Sequence, residues 1–312
     1  MTATATPIPE TVSTLSADQR LRVQSLIAKA QESDGVAPCN EAAMLEIGRT
    51  TCDPGTAHQL CRVGDELAGY CFLDHTTDDP VAQLVVDPEH RRRGVATAMI
   101  RALGFDPRDP DGAHRLAQGF ALRMWSFGDL PAARALTTAL GYQPVRELLV
   151  MARALTDLSA ATLPDGVKVR AFAPEDLPDL VRVNARAFAH HPEQGAMTDQ
   201  DFRERMAEPW FDPTGLLIAT REDKVVGFHW TKRHDAATGE VYVIGVDPAA
   251  AGGGVGRALL HLGLAHLADG GAERVILYVE GDQRYVVDLY ESTGFEIANR
   301  DIMYSSPTPE TA

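Results

Sequence analysis

One loop sequence occurs twice, and this duplication restricts the fold more than any other feature of the chain. Residues 86–98 read VDPEHRRRGVATA and residues 246–258 read VDPAAAGGGVGRA, with the aspartate, the proline and one glycine at a constant separation. A second pair of similar strings, ALGYQPV at 139–145 and STGFEIA at 292–298, follows the two loops. A repeat of this length is far longer than the period of a solenoid, so we interpret the chain as two tandem copies of one domain.

Apolar periodicity predicts a similar succession of helices and strands in both halves. A capping box from Ser16 to Gln19 predicts the first helix, and Asn40 precedes a second. Further helices are predicted from Gly94 to about Leu103 and at 131–140, 175–188, 198–208, 254–268 and 283–293. Strands are predicted at 57–64, 67–74, 84–86, 121–126, 145–152, 167–172, 215–220, 225–233, 240–246, 274–280 and 295–304. This alternation predicts an α/β fold with a mixed central sheet flanked by helices in each copy.

The length of 312 residues suits two domains of ordinary size. We place them at 1–155 and 167–312, on either side of a linker, TDLSAATLPDG, at 156–166. The terminal segments 1–14 and 305–312 are rich in threonine, proline and serine, so they are expected to be mobile tails.

Composition excludes several classes of partner. The formal net charge of −15 argues against nucleic acid, because binding a phosphate backbone requires a positive surface. Four cysteines without a C-x-x-C pair fit neither a zinc site nor a disulfide framework. We find no secretion signal and no apolar run of the roughly 18 residues that a membrane helix needs. We therefore expect a cytoplasmic monomer with reduced thiols and no membrane partner.

The repeated loop has the chemistry of an anion site. A strand that ends at V-D-P and continues as a helix opened by glycine directs several backbone N–H groups to one point, at the positive end of the helix dipole. In the first copy Arg91, Arg92 and Arg93 add positive charge, whereas the second copy has Ala251, Gly252 and Gly253 there. A plain glycine-rich turn is the alternative for either copy alone. A dinucleotide fingerprint fits poorly because its third glycine is missing, and the lysine of a Walker loop is absent.

With an apolar strand before it and a helix after it, the pattern [RQ]-x-x-G-x-[GA] resembles the acyl-CoA pyrophosphate loop of the GCN5-related N-acetyltransferases. The first copy matches fully from Arg91 to Ala96, and the second matches from Ala251 to Gly256 except at its first position. The resemblance implies acetyl-CoA as co-substrate. In the second copy the implied contacts are Ile244, Gly245, Val246, Ala251, Gly252, Gly253, Gly254, Val255, Gly256, Arg257, Gln283, Arg284, Tyr285, Val286, Val287 and Asp288. In the first copy they are Leu84, Val85, Val86, Arg92, Arg93, Gly94, Val95, Ala96 and Thr97.

The same resemblance implies a set of catalytic groups in the second copy. A backbone N–H of Ile244 or Val246 would polarise the thioester carbonyl, Glu240 would act as the base and Tyr290 as the acid. By strand alternation, Tyr242 and both backbone donors are expected to share one face with Glu240. A charge at the edge of a strand and a buried packing tyrosine are the alternative interpretations of the two side chains.

The corresponding positions of the first copy carry neither acid nor base. At the constant separation Glu240 corresponds to Pro80, and Tyr290 corresponds to Thr137, four residues before a glycine in each copy. Proline cannot accept a proton and a threonine hydroxyl is a poor acid. We therefore expect the second copy to catalyse and the first to bind CoA or only to support the fold.

Several strings extend the resemblance beyond the CoA site, among them AFAHHPEQG, WFDPTGL, GFHWTK and GEVYVIGVDP. They resemble the tandem-domain members that acetylate the cysteinyl amine of Cys-GlcN-Ins. The resemblance implies acceptor contacts at Glu41, Glu193, Lys232, Glu240 and Tyr278. Because Glu41 lies in the first domain, the acceptor is expected in a cleft between the domains.

Each acceptor contact also has a plain structural interpretation. Glu41 follows Asn40 at a helix start, where the dipole favours an acid, while Glu193 could be a loop charge and Lys232 a solvated lysine. The histidines 190, 191 and 229 offer no third ligand at a usual interval, so we predict no metal. In the second copy, Ala251 to Gly253 and the bulky pair after Gln283, Arg284 and Tyr285, depart from the family pattern.

Two other functions remain compatible with these residues. One is transfer of the acetyl group to a different amine such as an aminoglycoside, which would suit the negative charge of the chain. The other is a non-catalytic acetyl-CoA sensor, which predicts the loss of both Glu240 and Tyr290, and both are present.

Overall fold

The computed structural model describes residues 6–109, 111–191 and 194–307. Within these, contacts divide the chain into two units. The first contains residues 6–149, 280–282 and 299–307, and the second contains residues 150–279 and 283–298. Neither unit is one continuous stretch. The second unit begins at residue 150, before the expected linker, and residues 280–282 and 299–307 of the second half belong to the first unit.

Apart from the first strand, which the sequence did not predict, the helices and strands follow the predicted order. The helices are α1 (Ala17–Asp34), α2 (Glu41–Gly48), α3 (Val95–Ala102), α4 (Pro131–Ala139), α5 (Leu177–Ala187), α6 (Asp199–Met206), α7 (Val255–Asp269) and α8 (Arg284–Glu291). The strands are β1 (Ile8–Val12), β2 (Thr56–Val63), β3 (Glu66–Asp74), β4 (Val81–Val86), β5 (Arg123–Ser126), β6 (Gln143–Ala154), β7 (Val167–Ala171), β8 (Leu216–Arg221), β9 (Lys224–Arg233), β10 (Thr238–Val246), β11 (Arg274–Glu280) and β12 (Glu296–Ser305). The predicted capping box is confirmed, since the Ser16 side chain accepts from Gln19 N and the Gln19 side chain accepts from Ser16 N.

The expectation of mobile tails is wrong for their inner parts. Residues 8–12 form β1, which pairs antiparallel with β2. At the other end, Ser306 is buried and its N–H donates to Leu122 O at 2.9 Å, while its hydroxyl accepts from Leu122 N. In both cases backbone pairing with a strand outweighs a composition typical of loops, because an edge strand supplies unpaired hydrogen-bonding groups. Residues 1–5 and 308–312 lie outside the described residues.

In the first unit the strands lie in the order β1-β2-β3-β4-β5, and the end of β12 lies beside β5. β4 and β5 are parallel, and the other pairs are antiparallel. Helices α1 and α2 pack on one face through Val23, Ile27 and Ile47. Helix α3 packs on the other face through Met99 and Ile100.

In the second unit the order is β11-β10-β9-β8-β7, with β10 and β11 parallel and the other pairs antiparallel. Helices α5 and α6 cover one face, where Phe202 packs with Phe228 and Trp230. Helix α7 covers the other face through Val255 and Leu259. Both units therefore have the predicted arrangement, a mixed sheet with helices on its two faces.

Each sheet opens between its two parallel strands. The pairing of β10 with β11 runs from Thr238 to Glu240, although β10 continues to Val246. Likewise β4 pairs with β5 at Val81 and Ala82, and beyond them it continues to Val86 paired with β3 only. In a strand every second backbone N–H points to the same side. The part of β4 or β10 that has left its parallel partner therefore presents free N–H donors to a ligand bound in the opening.

Candidate active site

The two repeated loops have almost the same backbone geometry. In each, the aspartate carboxylate accepts from the N–H two residues on: Glu89 N to Asp87 at 2.8 Å, and Ala249 N to Asp247 at 2.9 Å. A short 3₁₀ turn follows, and α3 and α7 then begin after Gly94 and Gly254. The first N–H groups of both helices have no partner within their own helix, so both helix starts present donors to an anion.

Backbone conformation accounts for one glycine of the second loop, Gly252. Arg92 has φ of 61° and Gly252, its counterpart, has φ of 81°. The left-handed region is unfavourable for a residue with a Cβ and free of that cost for glycine. The second loop therefore gains an unstrained backbone by losing an arginine side chain.

A cavity of about 440 Å³ lies at the opening between β4 and β5 of the first unit. The residues that line it include the predicted CoA contacts Leu84, Val85, Val86, Arg92, Gly94, Val95, Ala96 and Thr97. Arg93 is not among the lining residues. Arg91 does line the cavity, but it forms a bidentate pair with Asp34 at 2.7 Å for each nitrogen. Arg92 therefore has the guanidinium that is better placed to bind a ligand, since that of Arg91 is paired with Asp34.

Sequence reasoning missed the opposite wall of this cavity. It is formed by Trp125 of β5, by Phe127 and Leu130 of the segment that follows, by Leu136 of α4 and by Arg108 of the segment after α3. The rings of Trp125 and Phe127 are stacked at 6.0 Å, and the Arg146 guanidinium lies 5.3 Å from the Trp125 ring centre. The signal was available, because β5 was predicted and the ends of adjacent parallel strands lie at the same edge of a sheet.

In the second unit, Glu240 lies in a row of side chains across three strands. The backbone register places it opposite Lys232 on β9 and Ile276 on β11, and directly opposed residues share a face. Glu240 is 6% exposed as a residue, and its Oε2 lies 2.6 Å from His234 Nε2. Since an ionised carboxylate only accepts hydrogen bonds, the histidine nitrogen is the donor. A buried carboxylate with one donor thus stands where β10 parts from β11.

The expectation that Glu240, Ile244 and Val246 share one face is wrong. The register of β10 against β9 shifts between Val241 and Val243, so that Tyr242 is an extra residue in a β-bulge. Tyr242 packs with the cluster of α5 and α6, whereas Ile244 and Val246 pack with α7. A bulge interrupts side-chain alternation, which no strict two-residue period can anticipate.

The bulge also changes which residue of the first copy corresponds to Glu240. β4 pairs with β3 without a register shift, and Asp74 opposite Val81 occupies the place of Lys232 opposite Glu240. The counterpart is therefore Val81, not Pro80. Valine cannot accept a proton either, so we still expect the first copy to be catalytically inactive.

Aromatic rings surround the Lys232 side chain, which is 9% exposed. Its Nζ lies 4.5 Å from the ring centre of Trp210 and 5.0 Å from that of Tyr242. The two rings contact each other at 4.9 Å, and Trp230 packs against both. The interpretation of Lys232 as a solvated lysine is therefore wrong, since its ammonium group is held against π faces next to Glu240.

Tyr290 lies on α8 with 8% exposure and packs edge-on against Phe295 at 5.6 Å. Burial raises the pKa of its phenol to about 12. In the first copy, the Thr137 hydroxyl donates to Ala133 O at 2.9 Å and is occupied within its helix. The tyrosine is therefore both a packing residue and a phenol that holds its proton.

The other predicted contacts differ in their surroundings. Gln283 precedes α8, whose first turn presents Tyr285 with 82% exposure, while Val287 is fully buried. Tyr278 on β11 is 47% exposed and lies two residues beyond Ile276 on the same face. Glu41 is the first residue of α2 in the first unit, after the cap formed by Asn40. Glu193 lies outside the described residues.

Among the described residues, no three His, Cys, Asp or Glu side chains converge on a point where a metal ion could bind. No helix in the described ranges is long and apolar enough to cross a membrane.

Comparison with known proteins gives consistent results over almost the whole chain. The model of the acetyltransferase (GNAT) family matches twice, at residues 26–122 and 181–295. A protein named mycothiol acetyltransferase from Catenulispora acidiphila is 46% identical over 301 residues, covering 90% of this chain and 93% of that protein. Proteins of the same name from Thermomonospora curvata, 46% identical, and Mycolicibacterium vanbaalenii, 44% identical, cover 95% and 93% of this chain and 96% and 95% of their own lengths.

Solved structures agree with the fold. A GCN5-related N-acetyltransferase from Sphaerobacter thermophilus superposes with a TM-score of 0.70 at 21% identity, covering 96% of both chains. A tandem GNAT protein from the clavulanic acid biosynthesis pathway has a TM-score of 0.72 at 15% identity, covering 96% of this chain and 98% of that one. At these identities the likeness concerns the fold alone, and it confirms the predicted pair of tandem domains.

Proposed function

Because this chain belongs to the GNAT acetyltransferase family and is 46% identical to proteins named mycothiol acetyltransferase, we propose that it transfers the acetyl group of acetyl-CoA to the cysteinyl amine of Cys-GlcN-Ins, which yields mycothiol. The second unit carries the reaction. The observation that supports this most directly is the position of Glu240, a buried carboxylate where β10 parts from β11.

The reaction needs a donor to the carbonyl oxygen, a base and an acid. A backbone N–H of the unpaired part of β10, at Ile244 or Val246, donates to the thioester oxygen. Glu240 takes a proton from the acceptor ammonium, directly or through water, and the freed amine attacks the carbonyl carbon. The C–N bond forms and the C–S bond breaks, and Tyr290 gives its proton to the departing thiolate. The nitrogen then loses its second proton, which leaves the neutral amide and, through solvent, returns Tyr290 to the phenol.

The surroundings of the acid and of Lys232 agree with these roles. Burial raises the pKa of the Tyr290 phenol to about 12, so the phenol carries its proton at neutral pH and is a weaker acid than a free tyrosine. Lys232 has its ammonium group fixed by two rings beside the base. We assign it to hydrogen bonding with the hydroxyl groups of the acceptor, for which an ammonium has three donors.

For the first unit we propose binding of CoA without catalysis. Its cavity of about 440 Å³ is lined by Arg92 and by the start of α3, which suit a pyrophosphate, and by apolar side chains that suit the pantetheine arm. Val81 and Thr137 stand where the second copy has its base and acid.

The first experiment is mass spectrometry of Cys-GlcN-Ins incubated with acetyl-CoA and the purified protein. We expect one added acetyl group on nitrogen, slowed about 10²–10⁴-fold by Glu240→Gln. Val81→Ala, the matched change in the first unit, leaves the rate within about twofold.

Failure to acetylate this acceptor would overturn the assignment. Acetylation of an aminoglycoside or another amine instead would keep the transfer chemistry and change the substrate. Binding of acetyl-CoA without transfer to any amine would favour the sensor.

A further inference from the structure

The second loop lacks the cations that the first loop carries. Gly252 and Gly253 stand where the first copy has Arg92 and Arg93. Apart from Arg257 in the first turn of α7, a CoA pyrophosphate would thus meet only backbone N–H groups and the helix dipole at this loop. Such groups favour an anion, but arginine adds the bidentate, charge-assisted hydrogen bonds that phosphate prefers.

A guanidinium from another part of the second unit reaches this loop. Arg221 is the last residue of β8, before the tight turn formed by Glu222 and Asp223. Its Nη2 lies 3.6 Å from the position that a Cβ on Gly253 would take. The guanidinium therefore lies beside the glycine run and ahead of α7.

The hydrogen-bonding capacity of this guanidinium is not used up within the described residues. Arg221 Nε is buried and has no hydrogen-bond partner among them. A buried donor without a partner is costly and rare in native proteins. The orphan donor calls for an acceptor such as an anion at this place, and the missing loop cations leave open the role of a phosphate-binding cation that Arg221 can fill.

The first copy shows the reverse arrangement. The hairpins β2–β3 and β8–β9 have the same register shift, after Cys61 and after Ala219. Val63 pairs with Glu66 as Arg221 pairs with Lys224, so Val63 is the counterpart of Arg221. One copy has arginines in the loop and valine at the hairpin, and the other has glycines in the loop and arginine at the hairpin.

We propose that Arg221 supplies, from the β8–β9 hairpin, the phosphate-binding cation that the glycine loop of the catalytic unit has lost. This inference rests on the proposed binding of acetyl-CoA by the second unit. It adds a cofactor-binding residue outside the loop motif and explains how the loop tolerates Gly252 and Gly253.

The first test compares two acetyl donors. Arg221→Ala should raise KM for acetyl-CoA roughly 10- to 100-fold, the usual effect of losing hydrogen bonds to a charged group. KM for S-acetylpantetheine, which has no pyrophosphate, should stay within about twofold. Lys224→Ala, the exposed partner across the same turn, is the matched control and should change neither value.

A compensating variant separates charge from local folding. Gly253 does not have a positive φ, so the double variant Arg221→Ala with Gly253→Arg can carry a loop arginine as the first copy does. We expect it to recover most of the lost affinity for acetyl-CoA. An equal loss with both donors, or no recovery in the double variant, would overturn the proposal.

A second readout needs no turnover. Amide hydrogen exchange with CoA as the probe should show protection of residues 248–257 that Arg221→Ala weakens, while protection of residues 88–97 in the first unit stays unchanged. If wild-type protein acetylates no amine but CoA still protects 248–257 in an Arg221-dependent way, the proposed function fails and this inference stands. If CoA does not protect 248–257 in wild-type protein, the inference fails.

Discussion

His234 Nε2 lies 2.6 Å from Glu240 Oε2, and this contact ties the buried carboxylate to the turn between β9 and β10. The histidine side chain is 37% exposed and the glutamate side chain 7%. The pair therefore connects the proposed base to solvent through an imidazole, while the hydrogen bond fixes the direction of the carboxylate.

Replacement of His234 tests whether it acts by positioning. His234→Ala removes the hydrogen bond to a charged group, and we expect kcat to fall about 10-fold or more. His234→Gln keeps an N–H donor and should recover most of kcat, with KM for acetyl-CoA unchanged in both variants. If the glutamine variant is as slow as the alanine variant, the histidine moves a proton rather than positioning the carboxylate.

Removal of the Tyr290 hydroxyl should affect only the departure of the thiol. We expect Tyr290→Phe to lower kcat with acetyl-CoA about 100-fold, as for the loss of a general acid. An acetyl thioester of a more acidic thiol needs no protonation to leave, so its rate should fall much less. Equal losses with both donors would contradict the acid role. Phe295→Leu, next to the same ring, is the packing control and should lower stability without changing the ratio of the two rates.

Lys232 should matter for the acceptor and not for the donor. Lys232→Met keeps the length of the side chain between Trp210 and Tyr242 but removes the ammonium group. We expect KM for Cys-GlcN-Ins to rise roughly 10-fold, the cost of lost hydrogen bonds, with KM for acetyl-CoA unchanged. Initial rates with each substrate varied in turn measure both. A change in KM for acetyl-CoA alone would contradict the assignment of Lys232 to the acceptor.

His229 predicts a loss of stability in mild acid. Burial lowers the pKa of its imidazole from 6.5 to about 4, and its Nδ1 donates to Leu259 O at 2.8 Å. Between these two pH values the His229 imidazole is protonated in the unfolded chain and neutral in the folded protein. The free energy of unfolding should therefore fall as the pH drops from about 6.5 to 4, by up to about 3 kcal/mol.

Urea unfolding of the wild type and His229→Gln across this range measures the effect. The variant should show a shallower fall with decreasing pH than the wild type does. The exposed His75→Gln is the control and should leave the slope unchanged. Identical slopes for wild type and His229→Gln would contradict the assignment.

Local sequence determined the elements and the duplication. The capping box at Ser16, the glycine before α3 and α7 and the apolar periods are signals within a few residues of the structure that they specify, so element order and bounds could be predicted closely. The same holds for the loop motif, whose constant separation already paired Asp87 with Asp247. The family resemblance of that motif is confirmed by relatives along most of the chain.

Tertiary structure decided what depends on the partner strand. The bulge at Tyr242 exists because β10 has one residue more than β9 opposite it, and a single strand carries no record of its register. The correspondence of Glu240 with Val81 follows from the same cause. So does the place of Arg221, which is far from the glycine loop in sequence and beside it in the fold. Sequence specified which residues could do chemistry, and only the pairing of strands decided which of them meet, because hydrogen-bond register joins residues that no local pattern relates.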